Sequence, residues 1–272
     1  MLQAIKNIIS YRELLFTLAW KNITVRYKQA YLGIIWTVLK PLLLVFIFTI
    51  VRSFIGIDTG NIPYPILTFG ALLTWVFFQE SASEGILSVV SNAALIRKIY
   101  FPREIFPLTS VITKMLELCI NFVVLAGLMI YYQMTPSIHV LWVPLIILYT
   151  MLASLCVSMA GAAANVYYRD MASALPVVLA LFMYLSPIIY PFSLVKKTLL
   201  VNQAAGEWSN TLFTIYTLNP LVGIIDSFQK VMFYAQPPDF QIIFPGFVLV
   251  CVAFPLSYLI FKKAEAYFAD II

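Results

Sequence analysis

Four ionisable residues stand inside long apolar runs, where charge is costly: Glu80, Glu84, Lys114 and Glu117. Glu80 and Glu84 are four apart and share one helical face; Lys114 and Glu117, three apart, share another. Counting back from Arg97 and forward from Arg103 puts Glu84 and Lys114 at similar depth in neighbouring antiparallel segments. A Glu84–Lys114 pair shielded from lipid is therefore expected. Two chemistries suit such a cluster, a proton relay or a structural, cavity-lining ion pair. The only histidine, His139, falls outside the apolar runs and the titratable cluster is small, which favours pairing. No catalytic residues are assigned, because the chain has no nucleophile–base constellation. It also lacks metal-ligand spacing and the G-x-x-x-x-G-K-[ST] loop that cradles a phosphate. Cys119, Cys156 and Cys251 lie within apolar runs and read as small buried residues, not as ligands or a disulfide.

These residues must be positioned by a membrane scaffold. Of the 272 residues, 62% are hydrophobic and 11% charged, far from the roughly 25% charged of a soluble domain. The expected fold is all-α and integral to the membrane, with six spans at about 30–51, 66–90, 105–132, 140–167, 171–190 and 242–261. Residues 1–29 form an amphipathic lead-in. Ile5, Ile8, Tyr11, Leu15 and Leu18 recur at helical spacing, with Lys6, Arg12, Glu13 and Lys21 largely elsewhere, as in a helix lying in the lipid interface. Met1–Ser10 is apolar but short, carries Lys6 and lacks a small-residue cleavage site, so no cleavable leader is expected. Residues 30–272 read as a single transmembrane domain. Lys40-Pro41 interrupts its first span, through a snorkelling lysine or a bend from interface into membrane.

Lysine and arginine set the orientation. Lys6, Arg12, Lys21, Arg26, Lys28, Lys40, Arg97, Lys98, Arg103, Arg169, Lys262 and Lys263 fall on the side of both termini, against Arg52, Lys196, Lys197 and Lys230 on the other. Both termini, the stretch SNAALIRKIYFPREIFPL (Ser91–Leu108) and the short polar hinge Tyr168-Arg169-Asp170 are expected in the cytoplasm. The cations flank spans and form no patch, so nucleic acid is not a partner. Within residues 91–102, Ala93, Leu95, Ile96, Ile99 and Tyr100 form one face of a short helix that Pro102 stops. A charged helix hung between two spans can be pushed by a partner outside the membrane. A chain with such a handle and no engine implies a separate motor subunit.

Residues 191–241 are too polar for a span and too apolar for an ordinary loop. Asn219 and Pro220 read as an N-cap and first helical residue, and Asp226 and Lys230 stand at i,i+4. With the short piece from Pro191 to Gln203, this suggests two re-entrant helices plugging the outer end of a pathway; a hairpin lying on the surface is the alternative. Aromatics are 15% of the chain. Trp36, Phe46, Phe69, Trp75, Phe78, Tyr184 and Tyr190 are candidates to line a conduit, since aromatic faces stack on sugar rings. Packing and interface anchoring explain many span aromatics equally well. Gly161–Ala164 with Ser154 and Ser158 should let helices approach closely.

Five stretches in order carry a resemblance: RYKQAYLGIIWTVLKP (Arg26–Pro41), Ser91–Leu108, NVYYRD (Asn165–Asp170), SPIIYPFSLV (Ser186–Val195) and LNPLVG (Leu218–Gly223). Together the chain resembles the membrane-spanning permease of ABC exporters for cell-surface polysaccharide, the O-antigen type, within the ABC-2 permease superfamily. The resemblance implies a homodimer bound to two ABC ATPase subunits that hold ATP and Mg, with none in this chain. It implies the bacterial inner membrane, surrounded by membrane lipids, and an undecaprenyl-pyrophosphate-linked polysaccharide moved from cytoplasm to periplasm. Asn92, Leu95, Arg97, Lys98, Tyr100 and Arg103 would belong to the coupling helix seated in the motor, with Tyr168, Arg169 and Asp170 as a second contact. Pro191, Asn219 and Pro220 would mark the outer gate, and Arg26 and Lys28 would guide the pyrophosphate at the inner mouth. Rival readings are exporters of teichoic acid, capsule or small hydrophobic molecules, and a proton-coupled lipid-linked-sugar flippase. A membrane glycosyltransferase would need Asp226 or Asp239 as catalytic carboxylates.

Overall fold

The computed structural model describes residues 10–28, 33–56, 62–99, 101–168 and 170–271. Among these there are helices and turns and no strand. Helix α1 (Arg12–Tyr27) buries Leu15, Leu18 and Ala19, while Phe16, Trp20 and Val25 are exposed. Its apolar residues thus face both the bundle and the outside, as an interfacial helix wedged between protein and lipid would. Ile5, Lys6 and Ile8, expected in the same helix, lie outside the described residues.

Helix α2 (Ile35–Ile55) starts later than expected and ends at Gly56, whose φ of 72° closes the helix in the left-handed region. Lys40-Pro41 does not break it: Pro41 sits in the second turn, where its missing N–H removes one backbone bond and the helix continues. Helix α3 (Tyr64–Ser91), at 28 residues, is buried nearly all round from Tyr64 to Phe78 and forms the centre of the bundle. A four-residue helix, α4 (Ala93–Ile96), turns the chain into α5 (Ile105–Tyr131). A 3-10 turn at Ile138–Trp142 leads into α6 (Val143–Tyr167), and α7 (Met171–Tyr184) follows.

Beyond α7 come α8 (Phe192–Lys196), a wide turn at Lys197–Val201, α9 (Ser209–Leu218) and α10 (Pro220–Phe233). Helix α9 was not foreseen from sequence. The chain closes with α11 (Phe240–Glu265) and α12 (Phe268–Ile271). Among the described residues four stretches are long and apolar enough to cross a bilayer: Ile35–Phe54, Ile105–Tyr131, Ile138–Tyr167 and Phe240–Glu265. The two other expected spans are helices of a different kind. Helix α3 carries Glu80 and Glu84, and α7 has 14 residues, about 21 Å of rise against a core of ~30 Å.

Small residues set the closest approaches. A Cβ on Gly85 would collide with Ser158 of α6, and one on Gly161 with Ile86 of α3. Ser158 Oγ also donates to the Ser81 carbonyl at 3.3 Å, and Asn165 Nδ2 to the Ile86 carbonyl at 3.4 Å. Helices α3 and α6 therefore meet along the small-residue stripe expected in α6.

Candidate functional site

Lys114 is the hub of a six-member ion-pair network. It is 3% exposed, and its Nζ lies 2.6 Å from Glu80 Oε2, 2.9 Å from Glu84 Oε1 and 3.0 Å from Glu117 Oε2. Helical spacing supplies all three of these partners: Glu80 and Glu84, four apart on α3, face α5, and Glu117 stands one turn from Lys114. Two further cations reach in from other helices. Arg26, near the end of α1, pairs with both Glu84 and Glu117, and Lys40 of α2 lies 2.7 Å from Glu80 Oε1. Three cations thus meet three carboxylates, and the network ties α1, α2, α3 and α5 together. Burial works against the Arg26 charge, but Glu84 and then Glu117 more than offset it and raise its pKa. A cavity of about 180 Å³ opens beside the network, lined by Arg26, Tyr27, Trp36, Thr37, Lys40, Glu80 and Glu117.

The elbow between α3 and α5 is built differently. Asn92 Nδ2 donates to the Ser88 carbonyl at 2.8 Å, closing α3, while Ile96 and Phe101 are buried beneath the turn. Leu95 is half-buried; Arg97, Lys98 and Ile99 are exposed. Tyr100 and Arg169 lie outside the described residues. Arg103 turns inward to α11: its backbone N–H donates to Glu265 Oε1 at 2.9 Å and its guanidinium to the Glu265 carbonyl. Lys262 Nζ bridges the fully buried Glu104 at 2.7 Å and Glu265 at 2.6 Å. Tyr168 and Asp170 are exposed.

At the opposite end of α3, Tyr64 donates its hydroxyl to the Ile189 carbonyl at 2.8 Å, and Arg52 lies over the Tyr64 ring at 5.0 Å. Asn219 caps α10 by accepting from the Leu221 N–H at 3.1 Å, with Pro220 as first residue, and its amide donates to Ser186 at 3.2 Å. A Cβ on Gly223 would stand 2.7 Å from Ile243 Cα, and one on Gly246 2.7 Å from Pro220 Cα, so α10 lies directly on α11. Lys230 Nζ is 2.7 Å from Asp226 and 3.4 Å from Asp239, which caps α11. Asp226 and Lys230, with Pro191, Phe192 and Gln229, line a cavity of about 280 Å³.

A family model for the ABC-2 type transporter matches residues 13–233, from α1 through α10. The chain belongs to the ABC-2 type transporter family. It is 26% identical over 274 residues to the O-antigen export system permease protein RfbA of Myxococcus xanthus, covering 99% of each chain. A protein of the same name from Klebsiella pneumoniae is 29% identical over 266 residues, 96% of this chain and 95% of that one. Within this ABC-2 chain the candidate conduit aromatics divide. Trp36, Phe46 and Tyr184 are exposed, and Tyr190, half-buried, donates to the Tyr184 carbonyl at 2.9 Å. Phe69, Trp75 and Phe78 are corrected: at 1%, 0% and 5% exposure on the central helix, they are core enclosed by the chain's own helices. Of the two residues assigned to a pyrophosphate mouth, Lys28 is exposed, whereas Arg26 is committed to Glu84 and Glu117. Sequence reasoning missed Lys40 and the Glu104–Lys262–Glu265 cluster; a lysine inside an apolar run was the one signal available for Lys40.

Proposed function

We propose that this chain is the transmembrane permease subunit of an ATP-driven exporter of lipid-linked polysaccharide of the O-antigen type, moving its cargo from cytoplasm to periplasm. The observation that carries the reading is the near end-to-end correspondence with permeases named for O-antigen export. No catalytic constellation is assigned to the chain; ATP and Mg belong to two ABC ATPase subunits docked on the cytoplasmic side. Two copies of the chain form the conduit at their interface. Support comes from α7 (Met171–Tyr184), in which Leu179 alone is buried, and from the exposed Trp36, Phe46, Ile47 and Phe54 on α2. These apolar faces need a second copy or lipid to cover them.

In this reading both termini and the elbow are cytoplasmic and all six expected spans cross the inner membrane, α3 with its charges paired and α7 extended by the segment up to Tyr190. The ATPase pair closes on ATP and moves the exposed turn around Arg97 and Lys98. Because Ile96 and Phe101 anchor that turn in the core, the displacement passes into α3 and α5 instead of being lost in a loose loop. The short helices α8 to α10 then act as the outer gate. Co-expression with an ABC ATPase that binds it should yield a complex whose vesicles translocate lipid-linked glycan only when ATP is supplied. Translocation by the chain without an ATPase, or driven by a proton gradient, would reject the reading. Transport of teichoic acid or capsule in place of O-antigen would keep the mechanism and change the cargo.

A further inference from the structure

We propose that Lys262, Glu265 and Phe268 are positioning residues for transport, forming a clamp that makes the elbow and the end of α11 move as one body. The inference rests on the reading of the elbow as the point where the motor acts. Five residue pairs meet there. The N-terminus of α5 and the C-terminus of α11 come together at Arg103 and Glu265, so opposite helix dipole ends face each other. Glu104 sits at the positive end of α5 and Lys262 at the negative end of α11, each where the dipole favours its charge, and Glu265, at the negative end of α11, is held by Lys262 and by the Arg103 N–H at the start of α5. Lys262 joins the two carboxylates, and Glu104 has no exposure to solvent, so the pair cannot be exchanged for water at little cost. After Glu265 the chain folds back: Phe268 is fully buried, packs edge-on against Phe261 at 5.4 Å and lies under the Arg103 guanidinium at 5.9 Å.

This arrangement gives a push on the elbow two exits. One is covalent, through Pro102 into α5. The other is the clamp, through Arg103, Glu104 and Lys262 into α11. Helix α12 packs against α4 and also against α6, which leads into Tyr168, so the clamp lies between both proposed motor contacts. Without it, α5 would move and α11, which carries α10 at Gly246, would not follow.

The test uses the full chain with its ATPase in lipid vesicles, after replacing Cys119, Cys156 and Cys251. Spin labels are placed at Lys98→Cys and Lys263→Cys, both exposed positions. In the parent protein their separation should stay constant when a non-hydrolysable ATP analogue binds, while the distance from Lys98→Cys to a label at Glu207→Cys changes. In the labelled chain, adding Lys262→Met should let the 98–263 separation vary with nucleotide; in the unlabelled chain, with Lys98 in place, it should lower cargo moved per ATP hydrolysed by roughly tenfold, with hydrolysis itself retained. Lys262→Arg should restore both. A 98–263 distance that changes with nucleotide in the parent, or an unaltered transport-to-hydrolysis ratio in Lys262→Met, would overturn the clamp. If Lys262→Met does not assemble, Phe268→Leu is read by the same ratio. No nucleotide response at either label pair would overturn the motor reading and the clamp with it.

Discussion

At the elbow end of the bundle, ion pairs join residues far apart in the chain: Arg26 with Glu117, Lys114 with Glu80, Lys262 with Glu104. At the opposite end Lys230 pairs locally, with Asp226 and Asp239, and contacts between distant residues are mainly steric or directed to backbone. There Gly223 and Gly246 seat α10 on α11, Asn219 caps α10, and Tyr64 reaches the Ile189 carbonyl. Charges that share several partners can exchange them as helices shift, because Lys114 keeps a carboxylate in most arrangements of α3 and α5. Close glycine contacts have one good geometry and a penalty elsewhere. The comparison assigns an adjustable joint to the Lys114 network, which ties together helices the proposed motor moves, and a fixed seat to the proposed gate, while the buried Lys262–Glu104 pair holds the elbow to α11 as one body.

The largest expected effect tests the network. Lys114→Met leaves three carboxylates around two cations and should cost about 3–5 kcal/mol, seen as loss of folded protein or a lower thermal midpoint in detergent. Glu84→Gln in the same chain should recover part of it; no recovery would show that the pair carries no stability. At the opposite end, Gly246→Leu should overpack against Pro220 and cost about 1–3 kcal/mol, read by the same melting assay. If that substitution is silent, the seat of α10 is not sterically fixed and the contrast fails. Asn219→Ala removes the cap of α10 and should cost about 1 kcal/mol. Smallest in stability is the pair Arg97→Ala with Lys98→Ala, both exposed, expected within about 0.5 kcal/mol of the parent. That variant should nevertheless hydrolyse ATP without exporting cargo, so it separates folding from coupling.

Much of this layout was legible in the sequence because it depends on local signals. The Asn219-Pro220 start of α10 and the elbow between α3 and α5 follow from residue types at fixed positions. The similar depth of Glu84 and Lys114 follows from counting turns out of a common elbow, and they stand 2.9 Å apart. What was not legible depends on assembly. Periodicity gives depth along a helix but not which cation of another helix reaches in, so Arg26 was placed at a mouth and Lys40 at an interface. Glu104 and Lys262 are separated by most of the domain, and no spacing rule links them. From Ile66 to Phe78 helix α3 has apolar residues on every side, so its pattern could not tell a conduit from a core at Phe69, Trp75 and Phe78. Helix α9 begins Ser-Asn-Thr and carries three threonines, weak helix formers whose pattern reads as loop.

The account depends on mechanical work entering at the elbow, and cysteine cross-linking to the motor subunit in native membranes tests this most directly. With the native cysteines replaced, Lys98→Cys should cross-link to the ABC ATPase, in a yield that changes with nucleotide, and Glu207→Cys should not. A cross-link from position 207 and none from position 98 would put the motor at the other end of the bundle and contradict the account.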